Sequence, residues 1–378
     1  MKHLAKNNFC NLGDVATYIN GYAFKPTDWG TEGLPIIRIQ DLTGNSYQAN
    51  YFSGEVDNRF RVHSGDILIS WSASLGVFEW HGGDAVLNQH IFKVVFDKIE
   101  VDKRFFIHQL KMLLERFASE AHGATMKHLT RPVFNSLPFY APPLMRQQKI
   151  ASVLERVSNL ITFKKQQLAK LDQLAKSRFS EMFGNGDFPC QKLGTFCHIG
   201  SSKRVFVEEL QAEGIPFFRG TEIGQLAEGK SVAPSLFITK SHYDALCSCS
   251  GKPQYGDLLL PSICSDGRIW CVNTDRPFYF KDGRVLWVKV PKSVNGCYLR
   301  FALSQSIIRH YNTLASGITF AELKIISLKE APVPVPPLEL QNEFAAFVEQ
   351  LDKSKVTIRK SIEKLETTYR ALLQEYFG

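Results

Sequence analysis

Ten histidines and eight cysteines are the residues whose chemistry would first suggest a catalyst or a metal centre. Cys10 stands alone in the first half of the chain, whereas Cys190, Cys197, Cys247, Cys249, Cys264, Cys271 and Cys297 fall in the second. No two are spaced C-x-x-C. Cys247, Cys249, Cys264 and Cys271 lie near one another in sequence, but zinc-ligand spacing is absent, and reduced thiols, buried or idle, are the better reading. The histidines are scattered, and His90 and His128 read as polar contacts rather than as catalysts. Methyl transfer to an amine requires a glycine-rich cofactor loop and an [Asn/Asp]-Pro-Pro-aromatic motif; Asn135-Ser136-Leu137-Pro138-Phe139 does not match. There is no G-x-x-x-x-G-K-[ST] phosphate loop. Asp257 to Arg268 contains acid and arginine without the spacing of a nuclease centre. These residue types lead to a binding protein with no catalytic site, no metal and no cofactor of its own.

Composition agrees with that class. The 378 residues are 44% hydrophobic and 22% charged, ordinary for a folded chain of two or three domains. Lys and Arg number 45 against 37 Asp and Glu, a net +8 that permits a polyanionic partner without requiring one. No apolar run approaches the ~18 residues of a membrane span. The first eight residues lack a signal-peptide core, so the expected location is the cytoplasm, with no membrane partner.

The elements that would position a binding surface are present twice. Gly123 to Leu154 (GATMKHLTRPVFNSLPFYAPPLMRQQKIASVL) corresponds to Gly317 to Val348 (GITFAELKIISLKEAPVPVPPLELQNEFAAFV) at an offset of 194, and the offset holds from there to Phe183-Gly184 and Phe377-Gly378. Pro142-Pro143-Leu144 and Gln147 match Pro336-Pro337-Leu338 and Gln341. Upstream, Leu12-Gly13 and Gly33 to Arg38 match Leu193-Gly194 and Gly214 to Arg219 at offset 181, and Gly65-Asp66 matches Gly256-Asp257 at offset 191. The offset grows because loops differ in length while a framework persists.

Within each copy, apolar and β-branched runs such as Pro35–Ile39, Asp66–Trp71 and Ile91–Phe96 predict strands. Phe105, Phe106, Leu110, Leu113, Leu114 and Phe117 predict a helix, as do Tyr298, Leu299, Ala302, Leu303 and Ile307; both stripes read as core. A long heptad helix follows. Its seam in the second copy is Phe344, Val348, Leu351, Lys355, Ile358, Ile362, Leu365, Tyr369, Leu372 and Tyr376, broken only by Lys355. In the first copy it is Ile150, Leu154, Val157, Ile161, Lys164, Leu168, Leu171, Ala175, Arg178 and Met182. Each helix is expected to span about 37 residues, roughly 55 Å, so its seam must be buried. The partner is either the other copy, packed antiparallel in the same chain, or a second chain. The expected boundaries are a domain over 1–142, a helix over 143–184, a second domain over 185–336 and a last helix over 337–378.

At this point a family resemblance appears. Gly65-Asp66-Ile67-Leu68-Ile69-Ser70-Trp71-Ser72-Ala73-Ser74-Leu75-Gly76, Val86 to Val94 (VLNQHIFKV), and Gly123-x-Thr125 followed by Pro142-Pro143-Leu144-x-x-Gln147 resemble the specificity subunits of type I restriction-modification systems. The junction recurs as Gly317-x-Thr319 and Pro336-Pro337-Leu338-x-x-Gln341. The second copy departs from the pattern: Leu260 to Gly267 (LPSICSDG) replaces the Ser-Trp-Ser loop, and Asn-Gln-His is missing. The resemblance implies a fold class of two α/β (α+β) target-recognition domains, a pseudo-two-fold internal repeat, joined by two long helices in an intramolecular antiparallel coiled coil. It implies double-stranded DNA as ligand, each domain reading one half of a split, asymmetric site. It also implies two methyltransferase subunits docked on the helices and carrying S-adenosylmethionine, with a motor-nuclease subunit as a further partner. Other readings stay open: a reader module of a self-contained restriction-methylation enzyme or nuclease-like effector, and a coiled-coil scaffold with no DNA role.

Sequence reading of DNA needs phosphate clamps together with donors and acceptors aimed at base edges. Arg38 and Arg219 follow matching apolar strands and offer a fork suited to guanine or to phosphate. Gln40 and Asp41, and Thr221 and Glu222, follow them. Ser70, Trp71, Ser72 and Ser74 end another strand. Asn88, Gln89, His90 and Lys127 complete the first set; Ser262, Ser265, Arg268 and Arg284 complete the second.

Overall fold

The computed structural model describes residues 8–44, 49–72, 74–120, 129–186, 188–316 and 321–378. Two compact units emerge, Met1–Lys165 with Lys360–Gly378, and Gln166–Arg359. Each therefore combines a globular domain with one end of each long helix, rather than leaving the helices as segments of their own.

In the first unit the chain runs through β1 (Phe9–Asn11), β2 (Thr17–Asn20), β3 (Leu34–Ile37), α1 (Ile39–Leu42), β4 (Tyr51–Phe52), β5 (Arg61–Val62), β6 (Ile67–Ser70), β7 (Gly76–Glu79), β8 (Ala85–Leu87), β9 (Ile91–Val95), α2 (Lys103–Glu120), α3 (Arg131–Asn135) and β10 (Pro138–Tyr140) into α4 (Leu144–Phe183). One antiparallel sheet has the order β2-β9-β6-β7. A second, β4-β3-β8-β5, pairs β3 with β8 in parallel. All four residues of β6 are buried, which is why this strand reads as a continuous apolar run rather than an alternating one. Ile67, Ile69, Phe92 and Val94 share a core with Phe105, Phe106, Leu110 and Leu114 of α2.

The second unit contains β11 (Cys190–Lys192), β12 (His198–Gly200), β13 (Ile215–Phe218), α5 (Gly220–Ala227), β14 (Phe237–Ile238), α6 (Lys240–Ser250), β15 (Leu258–Pro261), β16 (Trp270–Cys271), β17 (Tyr279–Phe280), β18 (Val285–Lys289), α7 (Gly296–Leu314), β19 (Ala315–Ser316), β20 (Glu322–Leu323), α8 (Ile325–Lys329), β21 (Pro332–Pro334) and α9 (Leu338–Phe377). Its main sheet, β12-β18-β15-β16, keeps the order of the first unit's, and β13 pairs with β17 in parallel as β3 does with β8. Helix α6 is an addition, and α5 is longer than α1.

Two family motifs turn out to be structural. Gly65 and Gly256 adopt φ of 87° and 90°, a conformation that favours glycine, at the turn into β6 and β15. Asp66 and Asp257 close those turns by accepting from the backbone N–H of His63 and Gln254, each at 2.9 Å. Gln147 is 2% exposed, accepts from the Asp102 N–H at 3.0 Å and donates to the Pro142 carbonyl at 2.8 Å. Gln341 is 1% exposed and repeats both bonds, with the Asn295 N–H at 2.9 Å and the Pro336 carbonyl at 2.8 Å. The glutamine thus latches the start of each long helix to its own domain.

The helix ends pack antiparallel inside each unit. In the first, Ile150, Ala151 and Leu154 share a core with Leu373 and Phe377, and Lys165 pairs with Glu366 at 2.8 Å. In the second, Phe344 and Val348 meet Phe179 and Phe183, and Lys355 pairs with Asp172 at 2.7 Å. Lys355 is itself buried, bridged also to Asp352 at 3.2 Å. Leu351 and Ile362 are buried, whereas Val157, Ile161, Leu168, Leu171, Ile358, Leu365, Tyr369 and Leu372 are half-buried. The expected seam needs one correction. In the last turns the buried residues are Phe179 and Phe183, not Arg178 and Met182, and Leu373 and Phe377, not Leu372 and Tyr376. A straight helix drifts about 20° per heptad from a 3.5-residue repeat, so a strict heptad reading slips by a position over five repeats.

Candidate nucleic-acid interface

In the first unit the ends of β3, β6 and β8 bring several sequence-predicted residues together. Asn88 donates its N–H to the Ile37 carbonyl at 3.1 Å, which sets the Asn88-Gln89-His90 turn beside Arg38. Trp71 donates its N–H to the His90 carbonyl at 3.5 Å, and its ring lies 5.5 Å from the His90 ring. Gln89 and His90 are exposed, and Asn88 and Trp71 half-buried.

Arg38 is held from several sides. It caps α1, its Nε lies 3.5 Å from Asp41 Oδ2, and its guanidinium stands over the Trp29 ring at 5.7 Å. The Asn50 amide, with its oxygen turned to Arg38, accepts from both terminal nitrogens at 2.6 and 3.2 Å. Asp41 accepts the Arg38 N–H at 2.8 Å, the acid half of a capping box; Gln40 between them is half-buried. Ser70 is fully enclosed and its hydroxyl donates to the Ser74 carbonyl, while Ser72 is buried and Ser74 exposed. Of the three serines predicted to donate to phosphates, only Ser74 is exposed. Lys127 lies outside the described residues, as do Ala73, Gly123–His128 and Gly317–Phe320 of the family motifs.

The second unit repeats this arrangement with other side chains. Ser262 donates its N–H to the Arg284 carbonyl at 2.9 Å, as Trp71 does to His90, and Lys281 donates to the Phe218 carbonyl at 2.9 Å, as Asn88 does to Ile37. Arg219 caps α5 and grips Glu222 with two side-chain bonds of 2.7 and 3.2 Å. Burial alone would raise the Glu222 carboxyl, but hydrogen bonds from the Arg219 side chain and backbone outweigh it and hold the group below the usual carboxylate range. The same pair raises Arg219. Arg284 pairs with Glu322, and Arg268 with Asp266 at 2.6 Å and Glu228 at 3.3 Å. Thr221 and Ser265 are exposed, and Ser262 is buried. Lys281 is exposed at the position of Asn88 and was missed in the sequence; counting forward from the paired strands β8 and β17 would have found it.

Burial pushes Cys197, Cys264 and Cys271 up to about 12. Among the described residues no group of three or more His, Cys, Asp and Glu is placed to hold a metal, and no helix is long and apolar enough to cross a membrane.

A duplicated mixed α/β frame that turns different polar loops to one sheet end defines a two-domain recognition protein. The profile described as the type I restriction modification DNA specificity domain matches residues 6–173 and again 186–367, so the chain belongs to that family. It is similar to the type I restriction enzyme EcoBI specificity subunit of Escherichia coli, 23% identical over 97% of this chain and 84% of the relative. The MjaVIII specificity subunit of Methanocaldococcus jannaschii is 22% identical over 96% of this chain and 90% of its own length. In fold the chain resembles the crystal structure of a type I S subunit from M. genitalium, with a TM-score of 0.54, 16% identity and coverage of 100% and 98%. A chain from a structure of type I complex assembly and conformational transition gives a TM-score of 0.51 at 16% identity, covering 98% and 97%.

Proposed function

We propose that the chain is the DNA-sequence-reading subunit of a type I restriction-modification complex and carries no catalytic centre. Each domain reads one half of a split, asymmetric site. The two long helices pair as an antiparallel coiled coil that sets the spacing between half-sites and docks two methyltransferase subunits. S-adenosylmethionine and adenine methylation belong to those partners, and a motor-nuclease subunit completes the restriction complex. The observation that carries this reading is the repetition of one backbone frame with Trp71, Asn88 and His90 at one sheet end and exposed Lys281 and Arg284 at its counterpart, where buried Ser262 takes the place of Trp71. Scaffold parts recur, whereas the side chains available to bases differ.

Methylome sequencing of cells with and without the gene tests it. The expected motif is bipartite and non-palindromic. Arg38→Ala relaxes one half-site and Arg219→Ala the other. A palindromic motif, or relaxation of the same half by both variants, overturns the assignment.

A further inference from the structure

The segment before β3 aligns between the copies without a gap, from Leu12 with Leu193 to Arg38 with Arg219. That register places Lys203 at the position of Tyr22. The backbone there runs very close to the β8–β9 turn. Tyr22 donates its N–H to the Leu87 carbonyl at 2.7 Å and bridges to Asn88, and a Cβ on Gly21 would lie 2.2 Å from the Asn88 carbonyl oxygen. Gly21 is therefore required, and Tyr22 is fixed relative to Asn88. In the second copy Ser202 replaces Gly21 and anchors the same stretch through its hydroxyl, which donates to the Phe280 carbonyl at 2.5 Å.

The Tyr22 ring is braced and outward. It packs edge-on to Phe24 and Phe60 at 4.9 and 5.6 Å, yet the residue is 39% exposed. Among the described residues its hydroxyl has no hydrogen-bond partner. An aromatic ring held by its neighbours loses little entropy on binding, and its hydroxyl can donate or accept. Lys203 is exposed, and its ammonium is a mobile point charge with donors only, which suits it to a backbone phosphate.

We propose that Tyr22 is a base-reading residue of the first half-site, its hydroxyl bonded to a base edge, and that Lys203 at the same place in the second domain grips a backbone phosphate. The proposal rests on the DNA-reading function above. The test uses the full chain assembled with its methyltransferase subunits and duplexes carrying the wild-type site or single changes in it. Tyr22→Phe keeps the ring and the packing. It is expected to lose discrimination about tenfold at one position of the first half-site and at none in the second. Lys203→Met is expected to weaken all sequences evenly and to lower the slope of log affinity against log salt by about 0.9. Wild-type discrimination by Tyr22→Phe, or an even loss across sequences, overturns the assignment of Tyr22. Altered base preference in Lys203→Met overturns that of Lys203. Absence of site-specific binding by the wild-type complex would instead refute the DNA-reading function itself.

Discussion

The first domain, residues 1–142, contains 14 Lys and Arg and 14 Asp and Glu, while the second, residues 185–336, contains 17 and 13. The neutral domain offers Trp71, Asn88, Gln89 and His90 at its sheet end, with Tyr22 beside them. The cationic one offers Lys281, Arg284 and Lys203. One frame therefore presents two kinds of surface, one rich in aromatic and amide groups and one rich in charge. The loop side chains differ between the copies, while the strand order, the arginine that opens α1 and α5 and the glutamine latch are the same.

The largest expected effects test whether the two frames are equivalent. Phe183 and Phe377 occupy matching positions, each buried where one helix end enters a domain core. Phe183→Ala and Phe377→Ala should each cost about 3–5 kcal/mol. Hydrogen exchange should show the second unit loosened by the former and the first by the latter. A large effect from one alone would break the equivalence.

A pH dependence should separate the units. His108 lies 6% exposed, its Nδ1 2.7 Å from the Tyr369 hydroxyl. Burial, with Lys111 and Arg104 nearby, lowers it from 6.5 to about 4, and burial pushes Tyr369 up to about 12. Because the folded value lies below the unfolded one, the neutral ring's stabilisation is complete above pH ~6.5. It falls by about 1.4 kcal/mol per unit as the pH drops toward 4, where only the unfolded chain takes up the proton. The latch register aligns His108 with Phe301 and Tyr369 with Ala175, so the second unit lacks this titration. Melts between pH ~6.5 and ~5, above the range in which the depressed Glu222 carboxyl of the second unit titrates, followed by exchange should show the slope in the first unit only, and His108→Asn should remove it.

The latch itself should be symmetric. Gln147→Leu and Gln341→Leu each leave a buried N–H and carbonyl unpaired, at about 1–3 kcal/mol, measurable by urea denaturation. Smallest of all, Asp41→Ala and Glu222→Ala remove the acid of a capping box. About 1 kcal/mol or less is expected from each, read from thermal melts, with the Glu222 change discounted further because Arg219 is half exposed.

The repeat, the two long helices and the family were legible because they rest on period and spacing. Less legible was which residues of the motifs face solvent. Asp66, Gln147 and Ser70 look like polar contact residues in a string of letters, yet each spends its hydrogen bonds inside the fold. Arg38 and Asp41 read as adjacent recognition groups; their three-residue spacing is equally that of a capping box, and the backbone uses it so. Tyr22 carries no motif and is found only by laying one copy on the other.

The glutamine latch has a consequence for how such chains change over generations. A DNA crossover falling within the Pro-Pro-Leu-x-x-Gln codons joins either domain of this chain to either long helix and keeps the partners of both hydrogen bonds, because each junction uses the same acceptor and donor. The recombinant chain inherits an intact junction with a new reading surface. New specificity can then arise in a single exchange, without passing through unfolded intermediates that selection would remove.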